Sequence, residues 1–368
     1  MAEPDGPDSE GTVPGGRYSV AFPKRWWYPA CPSSTLRSKP VAITLMDAPV
    51  VLYRDATGFP RALVDRCPHR NVPLSAGRVH PSGTIECGYH GWRFDGAGSC
   101  VAVPGLLGKD AAASPTRNVP AYATTERDGF VWIWPEQGSE PTGEPFALPA
   151  FDAAPSKVGE VVFAYDLDCT MHAALENALD VPHTAFLHGG IFRSGEQHDI
   201  TAVRRDLNDG VEVEYLGEPV AFGPIKTLPG GARTFDHWDR FFLPCVAQVE
   251  YRVAPWVRVV NTILHLPLSP FRTRAWFVVR FSSPLPAKAM RPIVLARGRG
   301  ILKQDADFLA LQTENARRFG GERYTSTELD LLGNGIWRLL RRAERAERAG
   351  TPPADEPSSE SGTVTFRA

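Results

Sequence analysis

Residues 66–94 read RCPHRNVPLSAGRVHPSGTIECGYHGWRF, and the rest of the chain is interpreted around this stretch. It contains Cys67-Pro-His69 and Cys87-Gly-Tyr-His90, with seventeen residues between His69 and Cys87. Two thiolates and two imidazoles on two short loops suit a tetrahedral zinc site. They equally suit a [2Fe–2S] cluster in which one iron takes both Cys and the other both His. Zinc sites with these ligands usually place their second pair as His and His a few residues apart, a pattern absent here. Pro68, Gly88 and Gly91 are residues that shape tight loops around such ligand pairs.

The chain has far more material than a small electron carrier needs. Its 368 residues suggest two domains, and a hydrophobic content of 43% is ample for packed cores. A net charge of −2 argues against nucleic acid as the main partner. Six Cys in so long a chain do not form a disulfide framework, so Cys31, Cys100, Cys169 and Cys245 are expected as reduced or buried thiols. The acidic start MAEPDGPDSEG has no apolar segment of a secretory signal, and no run of roughly eighteen apolar residues occurs. A cytoplasmic protein without a membrane span is expected.

In chain order, residues 1–17 are rich in Gly, Pro, Asp and Ser and are expected to be disordered. Short β-rich segments follow from Phe22: Val41–Leu45, Val50–Arg54, Arg61–Val64 and, last, Gly129–Trp134. They predict a small all-β domain, an antiparallel barrel or sandwich over 22–137, with a proline-rich linker over 138–157. A second domain over 158–349 opens with a strand at Val161–Leu167. A helix is then expected from Thr170, a plausible N-cap, to His188, with Gly189-Gly190 as its stop. Alternating strands Val211–Tyr215, Val246–Val253, Val257–Leu266 and Trp276–Phe281 predict an antiparallel sheet flanked by helices at Val294–Arg318 and Ile336–Arg348. The fold class is α+β. The tail 350–368, full of Pro, Ser and Glu, is expected to be disordered.

The second candidate site lies in Glu176-Asn-Ala-Leu-Asp-Val-Pro-His-Thr-Ala-Phe-Leu-His188, which carries D-x-x-H-x4-H. Two His and one carboxylate on one face of a metal form the facial triad of non-haem Fe(II) oxygenases, which leaves positions open for O2. On an ideal helix His183 and His188 would stand about 140° apart. Both reach one metal only if the turn widens or the second His lies past the helix end. Pro182, which has no N–H, favours such a break. Asp180 lies one turn before His183 and could accept the second N–H of that imidazole. His80, His172, His198, His237 and His265 fit no ligand spacing and are expected to be structural.

Together the two motifs resemble the catalytic α subunit of the Rieske non-haem iron oxygenases, the ring-hydroxylating family. The likeness runs from about Trp26 to Arg348 and includes the G-W-R-F after His90, Arg117-x-x-Pro120 and Gly129-x-Val-Trp. Thr325-Ser-Thr-Glu-Leu-Asp and Ile336-Trp-Arg-Leu-Leu make it more similar to the vanillate demethylase and pheophorbide/chlorophyllide oxygenase relatives. The resemblance implies a Rieske [2Fe–2S] cluster on Cys67, His69, Cys87 and His90, and a mononuclear Fe(II) on His183, His188 and a third ligand. In Gln304-Asp305-Ala-Asp-Phe-Leu-Ala-Leu-Gln312 that ligand is expected to be Asp305. Asp307, about 200° further round the helix, would face elsewhere; the family usually has Glu where Gln304 stands. The resemblance further implies Asp180 as an electron bridge to a cluster histidine of a neighbouring subunit, with His90 favoured, and Asn177 near the iron. It also implies a homotrimer, and an NAD(P)H-dependent reductase or ferredoxin as partner. The expected reaction is hydroxylation or oxidative demethylation of a hydrophobic, ring-containing substrate. An electron-transfer Rieske protein with a non-catalytic binding domain is the alternative. Phe192, Phe222, Trp238, Phe241, Phe242, Trp256 and Trp276 are candidates for the pocket, and Pro219–Gly231 for a lid.

Overall fold

The computed structural model describes residues 12–13, 16–107, 112–188, 199–219, 234–254, 257–282, 286–351 and 362–367. They form two compact units: Lys24–Ala147, and Leu148–Ala368 joined by Met1–Pro23.

In the first unit, alternating and β-branched segments pair into a six-stranded antiparallel sheet. Its order is Tyr28–Pro32, Phe130–Trp134, Ala121–Arg127, Pro60–Val64, Ala48–Arg54 and Val41–Leu45. Phe130–Trp134 is apolar at every position and buried at every position, as an interior strand requires. A smaller four-stranded sheet, Cys100–Ala102, Arg93–Phe94, Ile85–Glu86 and Arg78–Val79, carries the two Cys/His loops. Val51, Tyr53, Leu63, Leu74, Ile85 and Phe94 form the core beneath those loops, and Cys67 and Cys87 are part of it.

The second unit is built on an eight-stranded antiparallel sheet. Its order is Val158–Leu167, Arg272–Ser282, Val257–Ser269, Val246–Ala254, Asp236–Phe242, Gly210–Leu216, Asp199–Leu207 and Thr363–Arg367. Among the described residues four helices accompany it: α1 (Met171–Ala178), α2 (His183–Leu187), α3 (Ala287–Arg318) and α4 (Gly333–Ala349). Leu302, Asp305, Ala306 and Leu309 are the buried stripe of α3, at the i, i+3, i+4, i+7 spacing of one helix face. Gly298 lets α3 close on the sheet, since a Cβ there would stand only 3.1 Å from the Phe163 ring.

Three expectations need correction. The helix expected from Thr170 to His188 is two helices. Thr170 does cap α1, its Oγ1 accepting the Ala173 N–H at 3.1 Å, but the chain then turns through Leu179–Pro182 before α2 begins. Residues 350–368 are not wholly irregular, because Thr363–Arg367 adds an edge strand to Asp199–Val203. Its Thr-Val-Thr-Phe alternation was obscured by the polar, proline-rich residues before it. At the other end, Gly16–Arg17 pairs with Thr12–Val13, and Ser19 and Phe22 donate backbone N–H bonds to Glu322 (2.7 Å) and Glu344 (2.6 Å). The start of the chain is thereby tied to the second unit. Gly189-Gly190 and most of Pro219–Gly231 lie outside the described residues.

Candidate functional site

The two Cys/His loops are built to one plan. In the first, the Cys67 N–H donates to Val72 O (2.9 Å) and the Asn71 N–H to Cys67 O (2.9 Å). In the second, the Cys87 N–H donates to Trp92 O (2.8 Å) and the Gly91 N–H to Cys87 O (3.0 Å). Four residues after each Cys the backbone turns left-handed, at Asn71 (φ 62°) and Gly91 (φ 69°). Asn and Gly tolerate that conformation best. The Arg66 Nε holds the Asn71 side chain at 2.7 Å. Asn71 was missed in the sequence because only its backbone conformation marks it.

These loops bring Cys67, His69, Cys87 and His90 together. The two cysteines are buried, and the rings of His69 and His90 lie 4.5 Å apart. Trp92 stacks on His69 at 4.8 Å and 3°. Burial, with the neighbouring Cys87 thiol adding to it, pushes the Cys67 thiol up to about 11. Such a thiol ionises near neutral pH only against strong positive charge, which a bound metal provides. His69 Nδ1 is buried without a hydrogen-bond partner among the described residues. An orphaned nitrogen beside two buried thiols fits a cluster of the two-Cys, two-His kind.

In the second unit the break after α1 does the positioning. Pro182 has no N–H to continue α1; His183 starts α2 and His188 caps its end, its N–H reaching Thr184 O at 3.2 Å. The end of α2, rather than a widened turn, brings both imidazoles to one side. His183 Nε2 and His188 Nε2 lie 3.4 Å and 3.0 Å from Asp305 Oδ1. The three ligand atoms fall within 4.8 Å of one another. Asp305 Oδ1 is buried without a hydrogen bond to satisfy it among the described residues. Asp307 points away: its side chain is 59% exposed and pairs with Lys303 at 2.7 Å. Burial disfavours charge on His183, yet Asp180 and Asp305 outweigh it and hold the imidazole up at about 9. A pocket with two carboxylates against one imidazole seeks a cation, and two His with one carboxylate match ferrous iron.

Behind these candidate ligands, His183 Nδ1 lies 3.2 Å from Asp180 Oδ2, a charge contact rather than a well-aimed hydrogen bond. His188 Nδ1 is 2.9 Å from Gln304 Oε1. Asn177 lies in the walls of two cavities. One, of ≈ 180 Å³, is lined by His183, His188 and Asp305 together with Phe163, Tyr251, Phe277 and His265. The other, of ≈ 370 Å³, takes in Asp180, Glu176 and Gln312. Burial, reinforced by Asp180, Asp330 and Glu322, pushes Glu176 up to about 7.

Of the aromatics expected at the pocket, Trp238, Phe241, Phe242 and Trp276 do not line the metal-side cavity among the described residues. Trp238 instead lies under the Arg240 and Arg252 guanidiniums, and Phe241 is core. Phe192, Phe222 and Trp256 lie outside the described residues. Alternation alone could not say which face of each strand looks at the metal.

His237 supports this wall from behind. It is fully buried between Glu218 (2.8 Å) and Asp239 (3.0 Å), stacks on Tyr215 at 4.7 Å and lies tilted against Tyr251 at 4.4 Å. Burial opposes its charge, but the two carboxylates hold it up at about 9. A raised imidazole stabilises the fold fully below its ordinary value near 6.5 and loses that contribution as pH rises through about 9. Unfolding free energy is therefore expected to fall by about 2 kcal/mol between neutral pH and pH ~9.5. Chemical denaturation across that range checks this, with His237→Gln as the reference expected to lack the slope. Equal slopes in both proteins would mean that His237 is neutral.

The two assemblies define an iron protein with two kinds of centre, an iron–sulfur cluster fold and a His–His–carboxylate pocket. Residues 26–116 match the Rieske [2Fe-2S] domain, and residues 167–346 the vanillate O-demethylase oxygenase C-terminal domain. The oxygenase component of dicamba O-demethylase from Stenotrophomonas maltophilia is 36% identical over 58% of this chain and 58% of its own. Pheophorbide a oxygenase from Oryza sativa is 33% identical over 83% of this chain and 59% of its own. The vanillate O-demethylase oxygenase subunit of a Pseudomonas species is 26% identical over 90% of this chain and 98% of its own. The alignment thus spans little more than half the length of some of these relatives. The crystal structure of dicamba monooxygenase bound to 3,6-dichlorosalicylic acid has the same fold, with a TM-score of 0.73 at 24% identity, covering 90% of this chain and 100% of that one. The chain belongs to the Rieske non-haem iron oxygenases. Its cofactors are the Rieske [2Fe–2S] cluster and mononuclear non-haem iron.

Proposed function

We propose that this chain is a terminal oxygenase. It takes electrons from a separate NAD(P)H-dependent reductase or ferredoxin and hydroxylates or oxidatively demethylates a hydrophobic, ring-containing substrate. The observation that carries this reading is the placing of His183, His188 and Asp305 in the wall of an apolar cavity. Iron bound there supplies O2 activation, for which two imidazoles and a carboxylate leave room. Phe163 and Phe277, stacked at 5.3 Å, shape the cavity and keep water from the reacting atoms. Burial holds His265 down at about 4, so it meets a substrate as a neutral imidazole. No Lys or Arg is among the described lining residues. At ≈ 180 Å³ the space is well below the roughly 300–1,000 Å³ of sites for drug-sized ligands. A compound built on one substituted ring is the reading, in line with relatives named for O-demethylation of vanillate and dicamba; unlike the vanillate anion, an uncharged ring is what a described lining without Lys or Arg favours here. An uncharged ring on apolar walls needs few polar contacts to be held.

Asp180 is the relay residue of this reading, reached by the exposed His90 of a neighbouring copy in a homotrimer. The ≈ 370 Å³ cavity beside Asp180 would receive it. Asp180→Asn is expected to keep both metals yet nearly abolish coupled turnover, because the amide cannot balance charge at His183. Rapid mixing of the reduced protein with O2 and substrate checks this, and full activity in that variant would remove Asp180 from the relay. The function itself is tested with a reconstituted reductase and a substrate panel, following O2 uptake against product. Coupled turnover of a quaternary amine, with no response to any aromatic compound, would refute the substrate class. A protein that carried the cluster but no further iron would favour the electron-transfer alternative.

A further inference from the structure

We propose that Gln304 is a positioning residue of the iron site: its amide oxygen fixes His188 with Nε2 free for the metal, without adding charge. The inference rests on the reading of His183, His188 and Asp305 as iron ligands.

Both imidazoles turn Nε2 toward Asp305 Oδ1, so both Nδ1 atoms face outward from the metal pocket. His183 Nδ1 meets a carboxylate, Asp180 Oδ2, at 3.2 Å. His188 Nδ1 meets an amide oxygen, Gln304 Oε1, at 2.9 Å. An amide oxygen only accepts, so His188 must carry its proton on Nδ1, leaving the lone pair of Nε2 for a metal. The reversed amide would present its NH2 to Nδ1 and place the ring proton on Nε2, against Asp305, where no metal could then bind. Only one amide orientation is compatible with ligation.

The two histidines are therefore braced unequally. Asp180 and Asp305 already balance the charge of a divalent ion, and the acceptor at position 304 adds none. Gln304 is also the residue before Asp305 on α3. One short piece of helix thus supplies a ligand and the brace of a second ligand, and any shift of α3 moves both together. Gln304 is exposed, so its replacement leaves no cavity in the core.

The test uses the full chain loaded with ferrous iron and challenged with a competing chelator. Gln304→Met has similar length and no acceptor, and is expected to weaken iron retention by about 10–100-fold. Gln304→Glu keeps the acceptor and adds a negative charge, so it is expected to hold iron at least as tightly as the unaltered protein. The EPR spectrum of the ferrous–nitric oxide adduct gives a second reading, altered in Gln304→Met and restored toward the original in Gln304→Glu. The Rieske spectrum and the melting temperature, unchanged in both, report that the chain is folded. If Gln304→Met holds iron as tightly as the unaltered protein while His188→Ala loses it, the brace is refuted and the ligand reading stands. If His188→Ala also retains iron, the ligand reading itself falls.

Discussion

Asp305→Ala is expected to strip the mononuclear iron and all turnover from the protein while leaving its Rieske spectrum intact. The carboxylate is buried on the inner stripe of α3, its Oδ1 faces both imidazoles, and no hydrogen bond from the described residues satisfies it. Removing it leaves two nitrogens, which do not hold ferrous iron against solvent at the low affinity typical of this metal. Asp307→Ala is the control, expected to keep iron and activity. That side chain is on the far face, and its exposed pair with Lys303 contributes little to stability. Iron content by chelation and O2 uptake coupled to product are the measurements. Loss of iron from the Asp307 variant with retention in the Asp305 variant would reverse the assignment. His183→Ala and His188→Ala should behave as Asp305→Ala does.

Cys67→Ser should have an effect of similar size at the other centre. The protein should lose the brown colour of the cluster and keep only its mononuclear iron. A hydroxyl is a far poorer iron ligand than a thiolate. The loss should extend to structure, because Cys67 and Cys87 sit within the core formed by Leu63, Leu74, Ile85 and Phe94. A cluster-free loop leaves a serine hydroxyl buried and unsatisfied at position 67, at about 1–3 kcal/mol. A lower melting temperature for the first unit should accompany the loss of colour. Retention of the Rieske EPR signal in Cys67→Ser would remove that residue from the ligand set.

The sequence by itself determined the two Cys/His loops of the first unit. The four candidate residues lie on two short loops that Cys, His, Gly and Pro at close spacing specify locally, while the choice of an iron–sulfur cluster over zinc came from the family resemblance. The sequence also placed most strands, since period-2 alternation is a local signal. Helical periodicity said only that Asp305 and Asp307 cannot both face one metal; the choice of Asp305 came from the family resemblance. Tertiary structure decided what periodicity could not express. An ideal helix would have set His183 and His188 about 140° apart; the turn at Leu179–Pro182 and the end of α2 put them on one side. The cavity walls came from Phe163, Tyr251 and Phe277, on strands far apart in the chain, because only sheet register tells which face of a strand meets the metal. The partners of the second imidazole nitrogens are of both kinds. Asp180 was legible at one turn from His183, whereas Gln304 meets His188 across 116 positions of sequence and only through the packing of α3 against α2.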